Sequence, residues 1–130
     1  MTPTIHETIP IFRIFDVEKA KQFYCDYLGF TVDWEHRFDP DAPLYMQVSL
    51  GDLRLHLSEH HGDACPGATV FVRARGLADY HRELTGKGYR YLRPGLDDTG
   101  HGSCGLEVID PFGNRIRFDE VTPAPEPSRG

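Results

Sequence analysis

The feature that most constrains this chain is that its 130 residues read as one module written twice. Residues 9 to 15, Ile-Pro-Ile-Phe-Arg-Ile-Phe, have strand character, and Asp16 stands where an N-cap accepts a backbone N–H. Val17, Ala20, Phe23, Tyr24, Tyr27 and Leu28 then recur at helical spacing and Gly29 follows at the left-handed cap position, which predicts a helix over 17–28. Strands are expected over 30–36, 44–50 and 53–58, the last two joined by the turn Gly51-Asp52. The same order returns as a strand over 69–73, a helix over 77–87 closed by Gly88, and strands over 89–93, 103–109 and 115–120. Asp110-Pro111-Phe112-Gly113-Asn114 is the turn before the last strand.

Self-alignment supports duplication. Arg54-Leu55-His56-Leu57-Ser58-Glu59 lies over Arg115-Ile116-Arg117-Phe118-Asp119-Glu120, and Val17, Ala20 and Tyr24 match Leu77, Tyr80 and Leu84 at nearly the same offset. Successive strand residues point to opposite faces, so Leu53, Leu55 and Leu57, like Ile116 and Phe118, should cover the helices, with Arg54, His56, Arg115 and Arg117 on the other side. Phe12 and Ile14 should likewise meet the helix. The expectation is an α+β chain of two paired βαβββ modules, about 7–62 and 66–121, whose mixed sheets enclose a polar cavity. Residues 1–122 would form one domain, followed by a mobile Pro-rich tail over 123–130.

Charge and composition narrow the partners. With 14 basic and 20 acidic residues the formal net charge is -6, which disfavours nucleic acid, because nonspecific affinity for a phosphate backbone comes from clustered Lys and Arg. No apolar run approaches the roughly 20 residues of a membrane span, and the N-terminal Met-Thr-Pro-Thr-Ile-His-Glu lacks a basic region followed by an apolar stretch. No membrane partner and a cytoplasmic location are expected. Cys25, Cys65 and Cys104 have no paired spacing and are read as reduced structural thiols.

The candidate site is aromatic and polar. Trp34, Phe38 and Tyr45 lie close in sequence around the loop over 39–43, and aromatic rings offer large contact area to a planar ligand at little rotamer cost. The parity of Phe30, Val32 and Trp34 competes with this by turning Trp34 toward the helix. Tyr45, Gln47 and Ser49 alternate with Leu44, Met46, Val48 and Leu50, so Tyr45 and Gln47 should face the cavity. Arg54, His56, Glu107, Arg115 and Arg117 should line the same concavity, either as an ion-pair network or holding polar ligand groups. Phe71 should face inward, and Tyr91 joins the candidates on a strand without clean alternation. The stretch Asp97-Asp98-Thr99-Gly100-His101-Gly102 reads as a loop. No catalytic residue is assigned: an alternating strand puts Cys104 and Glu107 on opposite faces, and nothing orients His101.

The duplicated strand-helix-strand-strand-strand order, the helix end Phe23-Tyr24-Cys25-Asp26-Tyr27-Leu28-Gly29-Phe30 and the turn before Arg115-Ile116 resemble the vicinal oxygen chelate superfamily. That group includes glyoxalase I, extradiol dioxygenases, fosfomycin-resistance transferases and bleomycin-resistance proteins. The likeness covers about residues 7–120. Metal-dependent members hold a divalent ion with His and Glu on the first and last strands of each half; carried over, those places fall near Ile9, His56, Gly67 and Arg117. Only His56 offers a lone pair, and a guanidinium repels a cation. His56 and His60, four apart on a strand, stand about 13 Å from one another. The resemblance therefore implies no metal and no other cofactor. It points to the bleomycin-resistance type: a homodimer, often with exchanged N-terminal strands, that sequesters an aromatic natural-product antibiotic. Two alternatives stay open. One is a metal-dependent glyoxalase-like lyase, isomerase or dioxygenase using His56 with ligands from His6, Glu7, Glu107 or Asp119; the other is an accessory protein that holds a biosynthetic intermediate.

Overall fold

A computed structural model describes residues 1–88, 95–98 and 103–121. The chain divides into two units, Met1–Ala68 with Pro111–Asn114, and Thr69–Asp110 with the residues from Arg115 onward.

In the first unit β1 (Ile11–Arg13) leads into α1 (Val17–Lys21), followed by β2 (Thr31–His36), β3 (Tyr45–Leu50) and β4 (Leu53–Ser58). The sheet order is β1-β4-β3-β2, with β1 parallel to β4 and the other pairs antiparallel. Asp16 begins the helix as expected: its backbone is extended, and its Oδ1 accepts from Lys19 N at 3.0 Å. The helical stretch does not stay α-helical. Gln22–Tyr27 winds wider, and Leu28 N donates to Phe23 O at 2.9 Å, five residues back. This turn buries Phe23, Tyr24 and Tyr27 together, with Phe23 and Tyr24 edge to face at 5.0 Å and Tyr24 against Phe30 at 5.7 Å. Burial pushes the Tyr27 hydroxyl up to about 12. Gly29 then reverses the chain at φ +91°, a conformation that a Cβ makes costly.

Under this helix lie Phe12, Ile14, Leu44, Met46, Val48, Leu55 and Leu57, all buried. Fully burying side chains of this size contributes about 1.5–3 kcal/mol each. The alternation read from the sequence for β1, β3 and β4 agrees with this burial.

The second unit repeats the plan: β5 (Thr69–Arg73), α2 (Leu77–Gly86), β6 (Gly95–Asp98), β7 (Ser103–Ile109) and β8 (Arg115–Val121), in the order β5-β8-β7-β6. Again the first and last strands pair in parallel. Leu77, Leu84, Leu106, Val108, Ile116 and Phe118 form its core, and Tyr80 meets Phe118 edge to face at 5.8 Å.

Three sequence expectations are corrected. The first strand is only Ile11–Arg13, so Ile9 lies outside it. A strand runs over Gly95–Asp98, paired with Cys104–Glu107, so Asp97 and Asp98 belong to a strand rather than a loop, while the strand expected over 89–93 falls outside the described residues. The third concerns Trp34 and is taken up with the site. Residues 89–94, His101 with its neighbours over 99–102, and the tail over 123–130 lie outside the described residues.

The turn Pro111–Asn114 belongs to the first unit, and Asn114 explains its sequence. Buried to 1% exposure, its Nδ2 donates to Arg13 O at 2.8 Å while its Oδ1 accepts from Ala68 N at 3.3 Å. One amide thus satisfies backbone groups that burial would otherwise penalise.

Candidate ligand-binding faces

Each sheet keeps one face against its helix and leaves the other open. On the first sheet the open face carries Tyr45, Gln47 and Ser49 from β3 and Arg54 and His56 from β4, aligned by the pairs Gln47–His56 and Ser49–Arg54. Parity would have turned Trp34 away from this face, but β2 contains a bulge. Val32 pairs with Val48 and Trp34 with Gln47, so Asp33 and Trp34 together oppose one residue of β3. A bulge of this kind reverses the alternation beyond it. Val32 keeps its place beside core Val48, while Asp33, Trp34 and His36 turn outward. Asp at a strand interior was the sequence signal for the bulge, because Asp is disfavoured in regular strands.

The outcome is a compact aromatic and polar cluster. Trp34 stacks beside Tyr45, centroids 5.9 Å apart and planes 13° from parallel, and lies edge-on to His56 at 5.2 Å. Trp34 remains 42% exposed, leaving ring surface open. Beneath it runs a directed hydrogen-bond chain. Asp33 accepts from Ser49 Oγ at 2.9 Å and from Gln47 Nε2 at 3.0 Å. With its amide nitrogen held by that carboxylate, Gln47 presents Oε1 to His56 Nε2 at 3.0 Å. His56 Nε2 must therefore carry the proton, and its Nδ1 accepts from the Tyr45 hydroxyl at 2.6 Å. Every donor in this chain aims toward Asp33. Burial holds the imidazole below its ordinary range, against a smaller opposing pull from the Glu7 carboxylate. The Tyr45 hydroxyl is pushed up by burial and by the Asp63 carboxylate.

Two loops flank the cluster. Glu59 Oε1 accepts from Leu44 N at 3.0 Å, and buried Ser58 donates to Asp63 Oδ2 at 2.5 Å while accepting from His60 N at 3.0 Å. Phe38 is 79% exposed, standing edge-on to His36 at 4.9 Å and to His60 at 6.0 Å. Arg54 lies on the same face but is engaged elsewhere, its Nη1 2.5 Å from Glu7 Oε2.

The second sheet's open face is built differently. Glu107 pairs across β7 and β8 with Arg117, and its two oxygens meet Arg115 Nη1 at 3.1 Å and Arg117 Nε at 3.4 Å. Phe71 lies beside Arg117 in register and is 58% exposed. Of the ten residues singled out from sequence, the structure thus gathers Trp34, Tyr45, Gln47 and His56 in one unit and Phe71, Glu107 and Arg117 in the other. Phe38 and Arg54 sit at the margins of the first group, and Tyr91 lies outside the described residues. Asp33, which organises the first cluster, was not among the ten.

The donors do not suit a divalent metal of the kind the fold family can carry. Register places Ile11 beside His56 and Phe71 beside Arg117, rather than Ile9 and Gly67, and neither Ile11 nor Phe71 has a donor atom. The His56 lone pair is already taken by Tyr45 and its other nitrogen is protonated. Among the described residues, no three His, Cys, Asp or Glu side chains converge. Nor, among these residues, is any helix long and apolar enough to cross a membrane.

Two sheets of parallel-edged βαβββ topology, each with one helix-covered and one open face, define a paired-module binding scaffold. The family model described as glyoxalase superfamily protein matches residues 3–124, and the chain belongs to that superfamily. It is similar to the bleomycin resistance protein of Geobacillus stearothermophilus, 27% identical over 130 residues, covering 86% of this chain and 94% of that one. Among solved structures, it resembles a bleomycin resistance determinant encoded on the transposon Tn5, with a TM-score of 0.70 at 23% identity over 90% and 98% of the two chains. It also resembles a bleomycin-binding protein complexed with bleomycin, with a TM-score of 0.68 at 22% identity over 89% and 98%.

Proposed function

We propose that this protein binds an aromatic natural-product antibiotic of the bleomycin type, reversibly and without a metal, and confers resistance by sequestering it. The observation that carries the reading is the Trp34–Tyr45 pair, lifted onto the open face of the first sheet by the Asp33 bulge. A planar ligand finds there an exposed indole, a phenol fixed by His56 and a hydrogen-bonded polar floor, a combination that gives contact area and orientation together. The likeness to bleomycin resistance proteins over most of both chains supports the same ligand class. The reading carries with it a homodimer, with exchange of the N-terminal strand, acting in the cytoplasm. Phe38, Arg54 and Tyr91 are proposed as peripheral ligand contacts.

Titration of the protein with metal-free bleomycin, followed by Trp34 fluorescence, tests this. Saturable change with the drug recovered intact, unaltered by a chelator, is the expected result. Trp34→Ala, read by calorimetry, should weaken binding about tenfold or more, the equivalent of ~1.4 kcal/mol. Chemical conversion of the ligand, or a titration with no saturation, overturns the reading. Light scattering at working concentration checks the dimer.

A further inference from the structure

We propose that the open face of the second unit is a subsite for an aromatic carboxylate, which rests on the reading above that the protein holds an aromatic small molecule. The face contains a cavity of about 160 Å³ lined by Phe71, Gly105, Glu107, Arg117 and Asp119 among others. A cavity of about 150 Å³ holds one benzene ring, so this open space seats one six-membered ring of a ligand. Its shape follows from Gly105: β7 has no side chain there, opposite Asp119, and the Phe71 ring on β5 makes an apolar wall. Arg73 lies over the other part of that ring, its guanidinium carbon 5.8 Å from the centroid.

The charges give the subsite its sign. Arg73, Arg115 and Arg117 share this face with Glu107 and Asp119, and β6 sets Asp97 opposite Gly105, so three basic residues meet three acidic ones and the sign is local, set by the Arg117 guanidinium. Glu107 is shared by two guanidinium groups, and the bond to Arg115 is the shorter. Among the described residues Arg117 meets an acidic group only through Nε, so its two terminal nitrogens remain to form a fork. A planar carboxylate accepts two parallel bonds from such a fork, an arrangement that a neutral amide cannot match. When the ligand enters, its carboxylate meets the two terminal nitrogens of Arg117 while Nε and Arg115 stay against Glu107. The ring then lies over Gly105 against Phe71. The subsite thus selects, among aromatic small molecules, those bearing an acid one ring away from the rest of the molecule.

Benzoate and benzamide, titrated into the full chain and followed by amide and aromatic NMR shifts, separate charge recognition from ring recognition. Benzoate should bind at least about tenfold more tightly than benzamide, with shifts centred on Gly105 and Phe71. Arg117→Gln should abolish that preference, and Arg117→Lys, which keeps the charge without the fork, should restore part of it. Equal binding of acid and amide, no benzoate binding, a preference that survives Arg117→Gln, or shifts centred elsewhere overturns the proposal. Equal competition by inorganic phosphate overturns the aromatic part and leaves a bare anion site. The bleomycin titration of Trp34 is independent: drug binding without acid preference removes only this inference, and acid preference without drug binding removes only the resistance reading.

Discussion

The two open faces share one register and almost no chemistry. Gln47, His56 and Ile11 occupy one row across β3, β4 and β1; Glu107, Arg117 and Phe71 occupy the matching row across β7, β8 and β5. One row further along, Tyr45 opposite Ser58 corresponds to Gly105 opposite Asp119. On the covered faces the pairs are conservative: Val48 and Leu55 match Val108 and Ile116, and Met46 and Leu57 match Leu106 and Phe118. Helix packing therefore holds the covered face to apolar residues of similar volume, because density there leaves little tolerance. The open face has no such constraint. One copy has become an internally hydrogen-bonded aromatic cluster and the other an ion-paired face around one shared carboxylate. The duplicated plan thus carries two unlike open faces, whose chemistry is set by their own residues rather than by the fold.

The largest expected effects probe the shared part. Leu57→Ala and Phe118→Ala remove equivalent core side chains, and each should destabilise its unit by on the order of 2–5 kcal/mol in urea unfolding. A much smaller loss in one of them would mean that the two cores are not equivalent in packing.

A smaller effect separates the open faces from each other. Asp33 terminates a chain of three side chains, so Asp33→Ala should cost about 1–2 kcal/mol and loosen Trp34, visible as a shift in its fluorescence. Glu107→Ala removes only solvent-exposed ion pairs and should cost under about 1 kcal/mol. If Glu107→Ala proved the more damaging, the contrast between a structural relay and an adaptable pocket would collapse.

Much of this architecture was legible in the residues because it depends on local rules. The strands at 53–58, 69–73 and 103–109 were bounded by turns and alternation, and Asp16 and Gly29 marked both ends of the first helical stretch. What could not be read has a common cause in geometry that adds or shifts one residue. The wide turn at Gln22–Tyr27 keeps the same apolar spacing while changing the hydrogen-bond partner. The bulge at Asp33 breaks the parity from which Trp34 would have been turned inward, and the relay that Asp33 anchors spans three strands that only the register brings together. The pairing of Ile11 with His56, two residues on from Ile9, likewise follows from where β1 begins, which no local pattern specifies.

The subtlest difference between the faces concerns protons. The second face is held by ion pairs, whereas the first depends on a neutral imidazole. His56 should titrate below its ordinary value of 6.5, because burial opposes its charge and because protonating Nδ1 would force the Tyr45 hydroxyl to give up donating to it. Between that lowered value and 6.5 the unfolded chain binds more protons than the native one. Stability should therefore rise with pH across that window, be lost as pH falls from about 6.5 through the folded value, and stay level below it as far as this group is concerned. NMR titration of the His56 ring protons gives the pKa directly, and the nitrogen shifts identify the tautomer protonated at Nε2. Tyr45→Phe removes the donor to Nδ1, so the neutral ring loses a partner and its pKa should move up. A His56 that titrates at or above 6.5, or that ignores the loss of the Tyr45 hydroxyl, would mean that the chain ending at Asp33 does not set the protonation state of the first face.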